Sequence, residues 1–331
     1  MLLATVALLT LASDGGRCAV ALEAAPGYTA CAEGRLGLAL SDTQAEAERL
    51  LAEAAGGEPR FRAHFGQDPS PYVVLLFESE PPVEALKAAG FPTVLAWPSV
   101  AFTAGLFTEG FRRNEIAQSG APLSPEAEAR VQAQSARMVA DLEARRSDVV
   151  THELGHLWFE AVFWRESGIP SDGYGTGAPD WLDETSAILT EADGGLHNRR
   201  FGFSLGWAAK SPEDRAAPRA IGDLKHFLER RHPSQTNDPE LEASSQSGSV
   251  TVSVSTSVGG EDYFDQQARV FADYMLDRSG NPAIFSEITR SLAAGATFES
   301  WLASQTGSPD LPSTVAALQS DWAAWVDSTD R

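Results

Sequence analysis

Cysteine is nearly absent: the chain of 331 residues holds two, Cys18 and Cys31, both near its start, and neither sits in a CxxC pair. A cysteine-built zinc module is excluded, and both lie too far in sequence from any histidine cluster to read as its metal ligands. One such pair can close a short-loop disulfide in an oxidising compartment. Positive charge is scarce as well, with 25 Lys and Arg against 46 Asp and Glu and a formal net charge of −21. No basic footprint remains to track a phosphate backbone or an anionic bilayer, so no nucleic-acid partner is expected. Long apolar runs are also missing. The start, MLLATVALLTLASDGG, has an apolar stretch of about eleven residues, too short to span a bilayer and suited to the core of a secretory signal. It lacks a basic n-region. Residues 1–21 are therefore expected to be an atypical or truncated signal segment, with Ala19, Val20 and Ala21 as one cleavage triplet, and the chain to be exported. Cleavage there would remove Cys18 and with it the disulfide.

With 43% hydrophobic residues, the chain can bury one large core or two smaller subdomains. The first part alternates strand and helix patterns. GRLGLALS (34–41) alternates, TQAEAERLLAEAA (43–55) has helical period, YVVLLFES (72–79) is a buried-strand run, and PPVEALKAAG is a short helix with a glycine stop. Further strands are expected at 93–96 and 99–107. From residue 124 the pattern turns helical, with Ser124 as cap and Pro125 at the first helical position. Gly- and Pro-rich 167–179 and Ser-rich 242–262 read as loops, the latter with an exposed hairpin as an option. The expected fold is α+β. A mixed α/β subdomain with a small mixed sheet (32–146) precedes a mainly helical subdomain (147–331), with a metal site in the cleft between them.

The stretch DVVTHELGHLWFEAVFW (148–164) places a carboxylate between two histidines on an apolar helix. Residues four apart are displaced by only about 40° around a helix, so His152 and His156 can turn two imidazole nitrogens toward one tetrahedral metal. Glu153 is rotated by about 100° from His152. It stays out of the coordination shell yet within reach of a water polarised there, as a general base. Zinc is the expected cofactor. The longer metzincin pattern is excluded, since Phe159 and Val162 stand where it needs Gly and His. A third ligand must come from another helix. Glu160 is four residues past His156, displaced by about 6 Å along the axis, more than bonds of about 2 Å to both histidines allow. Glu184, 28 residues after His156 in APDWLDETSAILTEADGG, has the best flanks, with Pro179 read as the first helical residue. Its neighbour Asp183 is the candidate to orient a histidine through the second ring N–H.

HELGH followed by WLDETSA (181–187) resembles the gluzincin metallopeptidases, which include thermolysin and the aminopeptidase N-like enzymes. The resemblance covers roughly 145–330. It departs from them in a longer spacing and in Thr185, where the aminopeptidases have Gly. It implies zinc on His152, His156 and Glu184, Glu153 as base, a peptide or protein substrate, and a tyrosine or histidine that stabilises the oxyanion. Tyr263, opening EDYFDQQARVFADYMLDRSGN, is the candidate for that role, with Tyr274 read as core; His197, His226 and His232 read as exposed alternatives. No GxMEN-type edge strand precedes HELGH, and LFTEGF (106–111) offers only Glu109, so endopeptidase or broad peptide cleavage is expected rather than strict aminopeptidase action. Two other classes stay open: a non-catalytic exported binding protein with a structural metal, and a metal-dependent hydrolase of a non-peptide bond.

Overall fold

The apolar runs of the first hundred residues pair into one four-stranded sheet. The structure, a computed structural model, describes residues 16–164, 177–232, 263–305 and 311–329. Strands β1 (Ala30–Glu33), β2 (Gly37–Ser41), β3 (Tyr72–Phe77) and β4 (Thr93–Pro98) lie side by side in chain order. β1 is antiparallel to β2, and the other pairs are parallel. The registers Ala39↔Val74 and Val74↔Leu95 line up one row, and Leu40↔Leu75 with Leu75↔Ala96 the next. Because side chains alternate along a strand, these rows face opposite sides. One side packs on α1 (Arg17–Ala24) and α4 (Val83–Ala88) through Ala21, Val83 and Leu86. The other meets α2 (Gln44–Ala55), α3 (Glu58–Phe65) and α7 (Arg146–Phe159) through Leu50, Phe61 and Trp158.

The fold class is α+β, with the small mixed sheet first and helices after it. Cys18 and Cys31 are disulfide-bonded and tie α1 to β1. Ala21 is fully buried in α1, so a cut after it would split a helix that packs on the sheet. The strand expected at 99–107 is instead the start of α5 (Val100–Ser119), whose cap Ser99 accepts the Phe102 N–H. The run SVAFTAGLF is short and apolar, and periodicity alone does not separate strand from helix there; the serine cap was the deciding signal. α5 pairs with α6 (Pro125–Ala144), whose cap Ser124 and first residue Pro125 stand as expected.

The helical part continues with a π turn after α7 (Glu160–Trp164), then α8 (Asp180–Thr190), α9 (Asp193–Ala208), α10 (Pro212–Ala216) and α11 (Leu224–Glu229). α12 (Phe264–Ser279), α13 (Ile284–Ala293), α14 (Phe298–Ser304) and α15 (Val315–Ser328) follow. A single large core runs through both halves, joining Leu50, Phe61 and Trp97 to Trp158, Trp181 and Phe285. The hairpin option within 242–262 and most of the loop at 167–179 lie outside the described residues. Among the described residues no helix is long and apolar enough to cross a membrane.

Candidate metal centre

Two contacts set the position of α7. Its first turn is held by Arg146, 2% exposed, whose guanidinium pairs with Glu53 at 2.7 and 2.9 Å and Glu46 at 2.9 Å on α2. Its middle lies against α8 at Gly155, where a Cβ would come within 2.6 Å of the Ala187 Cα and 2.5 Å of the Thr190 Oγ1. Only a residue without a side chain lets the two backbones approach this closely. The Thr190 hydroxyl then donates across the seam to the Thr151 carbonyl at 2.8 Å.

α8 is buried along its whole length, carboxylates included. Pro179 stands at the cap rather than at the first helical position, which Asp180 takes. A buried carboxylate is costly unless something compensates it. Asp183 accepts from His156 Nδ1 at 2.8 Å, the orienting contact expected of it. Glu184 has no such partner. It is 1% exposed, and its Oε2 has no hydrogen bond among the described residues.

The His152 and His156 side chains of α7 point at that oxygen. The two Nε2 atoms are 3.3 Å apart, and Glu184 Oε2 is 3.8 Å from the first and 3.7 Å from the second. A circle through three atoms with those separations has a radius of about 2.1 Å, the length of a zinc bond to nitrogen or oxygen. Both Nδ1 atoms are engaged by carboxylates, His152 by Glu191 at 2.7 Å and His156 by Asp183. When neutral, each ring therefore keeps its proton on Nδ1 and presents the Nε2 lone pair inward. Two such lone pairs this close repel unless a proton or cation lies between them. The orphaned oxygen and the facing lone pairs fit a metal ion held by His152, His156 and Glu184.

The surrounding charges are arranged for a cation. Burial works against a charge on His156, but Asp183 and Glu184 outweigh it and raise its pKa to about 9. His152 is likewise raised, burial being outweighed by Glu184 and Glu191. Burial raises the Glu184 pKa and Asp265 adds to it. Burial would also raise Glu191, yet Arg199 and His152 hold it down at about 2. Arg199, on α9, reaches across with Nη1 3.1 Å from Asp265 Oδ2 and 3.9 Å from Glu184 Oε1.

Glu153 is half-buried on α7, so this helix has one open side rather than being apolar all round. It is close enough to raise the His156 pKa. Tyr263 stands at the cap of α12 with its ring against Gly206 of α9; the hydroxyl is 3.0 Å from where a Gly206 Cβ would be. Gly206 lies two turns, about 10 Å of rise, beyond Arg199. Tyr274 is core, its hydroxyl donating to Asp321 at 2.8 Å. His197 is exposed as expected, but His232 is not. Its Nε2 lies 4.0 Å from Glu184 Oε2 and 3.5 Å from Asp265 Oδ1, and its ring meets Phe264 at 5.0 Å. The polar RRHPSQTNDPE context suggested exposure; the fold tucks this residue against α12.

Sequence reasoning thus missed Glu191, Arg199, Asp265 and Gly155, and reached His232 only as one of three exposed alternatives to Tyr263. Glu191 carried a signal: it follows Glu184 by seven residues, two helical turns, which places it on the same face. The others depend on tertiary contacts. Comparison of the chain with family models, with curated proteins and with solved structures returns no match.

Proposed function

We propose that this chain is a zinc-dependent peptidase of gluzincin type. The observation that carries the reading is Glu184 Oε2, buried without a hydrogen bond among the described residues and aimed at two histidine Nε2 atoms whose Nδ1 protons are held by carboxylates. Two imidazoles and one carboxylate form the donor set of a catalytic zinc site, whereas structural sites take four protein ligands, commonly cysteines. Zinc bound there would lower the pKa of a water to about 7 and polarise a carbonyl.

The remaining work falls to the chain itself. Glu153, half-buried one residue from His152, takes the proton of the attacking water and passes it to the leaving amine. Asp183 and Glu191 keep the two imidazoles in the required tautomer. An oxyanion donor is still needed. His232, held beside Glu184 by Asp265, suits that role better than Tyr263, whose hydroxyl lies against α9.

Broad peptide cleavage remains the favoured mode. The only carboxylate in the LFTEGF stretch, Glu109, sits on helix α5 and pairs with Arg112 at 3.1 Å, so that stretch offers no edge strand for a free amine. The Cys18–Cys31 disulfide supports export to an oxidising compartment. A metal-dependent hydrolase of another bond would share these residues, so the substrate decides.

The test is a metal-to-protein ratio measured beside cleavage of a mixed peptide pool, free and N-acetylated, with and without chelator. One zinc per chain, chelator-sensitive cleavage of both pools, and a Glu153→Gln variant that keeps zinc while losing turnover are expected. Glu184→Ala with full zinc occupancy at low free metal would overturn the ligand set, and loss of all cleavage on acetylation would overturn the endopeptidase mode.

A further inference from the structure

Glu184 faces a second group of ligand atoms. Glu184, His232 and Asp265 each offer one within 4.8 Å of the others. Arg199 occupies Asp265 Oδ2 at 3.1 Å, which leaves Oδ1 turned toward His232 Nε2 at 3.5 Å. Glu184 Oε2 points to a ligand independently of that grouping, because it is buried and no hydrogen bond among the described residues satisfies it. A carboxylate oxygen carries two lone-pair sites and can serve two cations.

Charge permits a further cation. Asp183, Glu184, Glu191 and Asp265 bring four negative charges to this region when ionised, and Arg199 brings one positive. A divalent ion on His152 and His156 leaves one of these negative charges uncompensated and a second divalent ion leaves one positive charge instead, so the ligand geometry, not the charge count, carries the second ion.

We propose that Glu184, His232 and Asp265 form a second divalent-cation site that shares Glu184 with the His152–His156 site. The proposal rests on the zinc reading of the first site. One imidazole and two carboxylates suit zinc or manganese rather than calcium, which collects six to eight oxygens. This site is the weaker of the two, because the Arg199 guanidinium lies 3.9 Å from Glu184 Oε1 and the Asp265 side chain is 43% exposed. His232 cannot ligate a cation and donate to a carbonyl through the same Nε2, so filling this site removes that oxyanion donor.

The experiment is equilibrium dialysis of the full chain against buffered free zinc, with bound zinc counted per chain. Wild type should rise in two steps to two zinc ions. Asp265→Asn and His232→Gln should each stop at one, with the tighter step unmoved; that retained step also shows that the variants fold. A single step to one zinc in wild type, or two steps in both variants, overturns the second site and leaves the first intact. No zinc bound in wild type overturns both.

Discussion

Gly155→Ala tests the contact that brings the third ligand to the first two. A Cβ there would lie 2.6 Å from the Ala187 Cα and 2.5 Å from the Thr190 Oγ1, where ordinary contact begins at 3.4 Å. The hydroxyl can swing away, but the backbone cannot, so α7 and α8 must separate by about 0.8 Å at this point. Glu184 stands one turn before Ala187 in the same helix and moves with it. Zinc bonds tolerate only about ±0.2 Å, so a displacement of this size breaks the triangle that is now 3.3 to 3.8 Å on a side.

Overpacking of this kind costs about 1–3 kcal/mol. If the strain is relieved by withdrawing Glu184, zinc binding weakens by about 5- to 150-fold, at 1.4 kcal/mol per factor of ten. Zinc affinity would be measured by competition with a chromogenic chelator, and the Tm of the metal-free protein beside it. A lower Tm with unchanged zinc affinity would show that the helices separate without moving Glu184. That result, or no change in either quantity, refutes the reasoning.

Other consequences follow from the same residues. Asp183→Ala and Glu191→Ala should each weaken zinc binding by about 10- to 100-fold, because each frees one imidazole to turn; equal affinity in both variants and wild type would remove the orienting role. In the metal-free protein the His156 pKa stands at about 9, above the 6.5 of an unfolded chain. Its contribution to stability is therefore full below about pH 6.5 and lost as pH rises through about 9. Zinc needs the neutral ring, so binding at pH 7 should release at least one proton and tighten with pH up to about 9. Calorimetry in buffers of different ionisation enthalpy reads this directly, and a pH-independent affinity would contradict it. Reduction of Cys18–Cys31, which spans 13 residues, should cost about 3 kcal/mol of stability. Zinc content should not change, since α1 packs on the far face of the sheet; denaturant titration of oxidised and reduced protein checks both.

The parts of this site that could be read from the sequence are those a single helix dictates. His152 and His156 converge because a four-residue step returns nearly to the same face, and nothing elsewhere in the fold is needed for that. Glu184 was legible through the WLDETSA resemblance, and Asp183 through its place beside it. Glu191 could have been found by continuing the helical count two turns past Glu184. Asp265 could not, nor could His232 be chosen over His197 and His226, because Asp265 and His232 meet only where the end of the α11 segment folds against the start of α12. Segment 99–107 resists reading for the opposite reason: its apolar residues suit a strand or a helix equally, and only the Ser99 cap separates the two.

Gly155 marks the limit most sharply. In HELGH it reads as a small residue between a leucine and a ligand, and no period or propensity says what it faces. The structure supplies the answer in the 2.6 Å clearance to Ala187: the glycine sets the distance between two helices. The histidines are positioned by one helix and would point the same way in any fold that kept it. The carboxylate is positioned by a second backbone, and its reach is fixed by how closely that backbone can approach. The zinc site proposed for this chain therefore requires glycine at 155 as well as the ligands, and for a reason that only the packing of α7 on α8 shows.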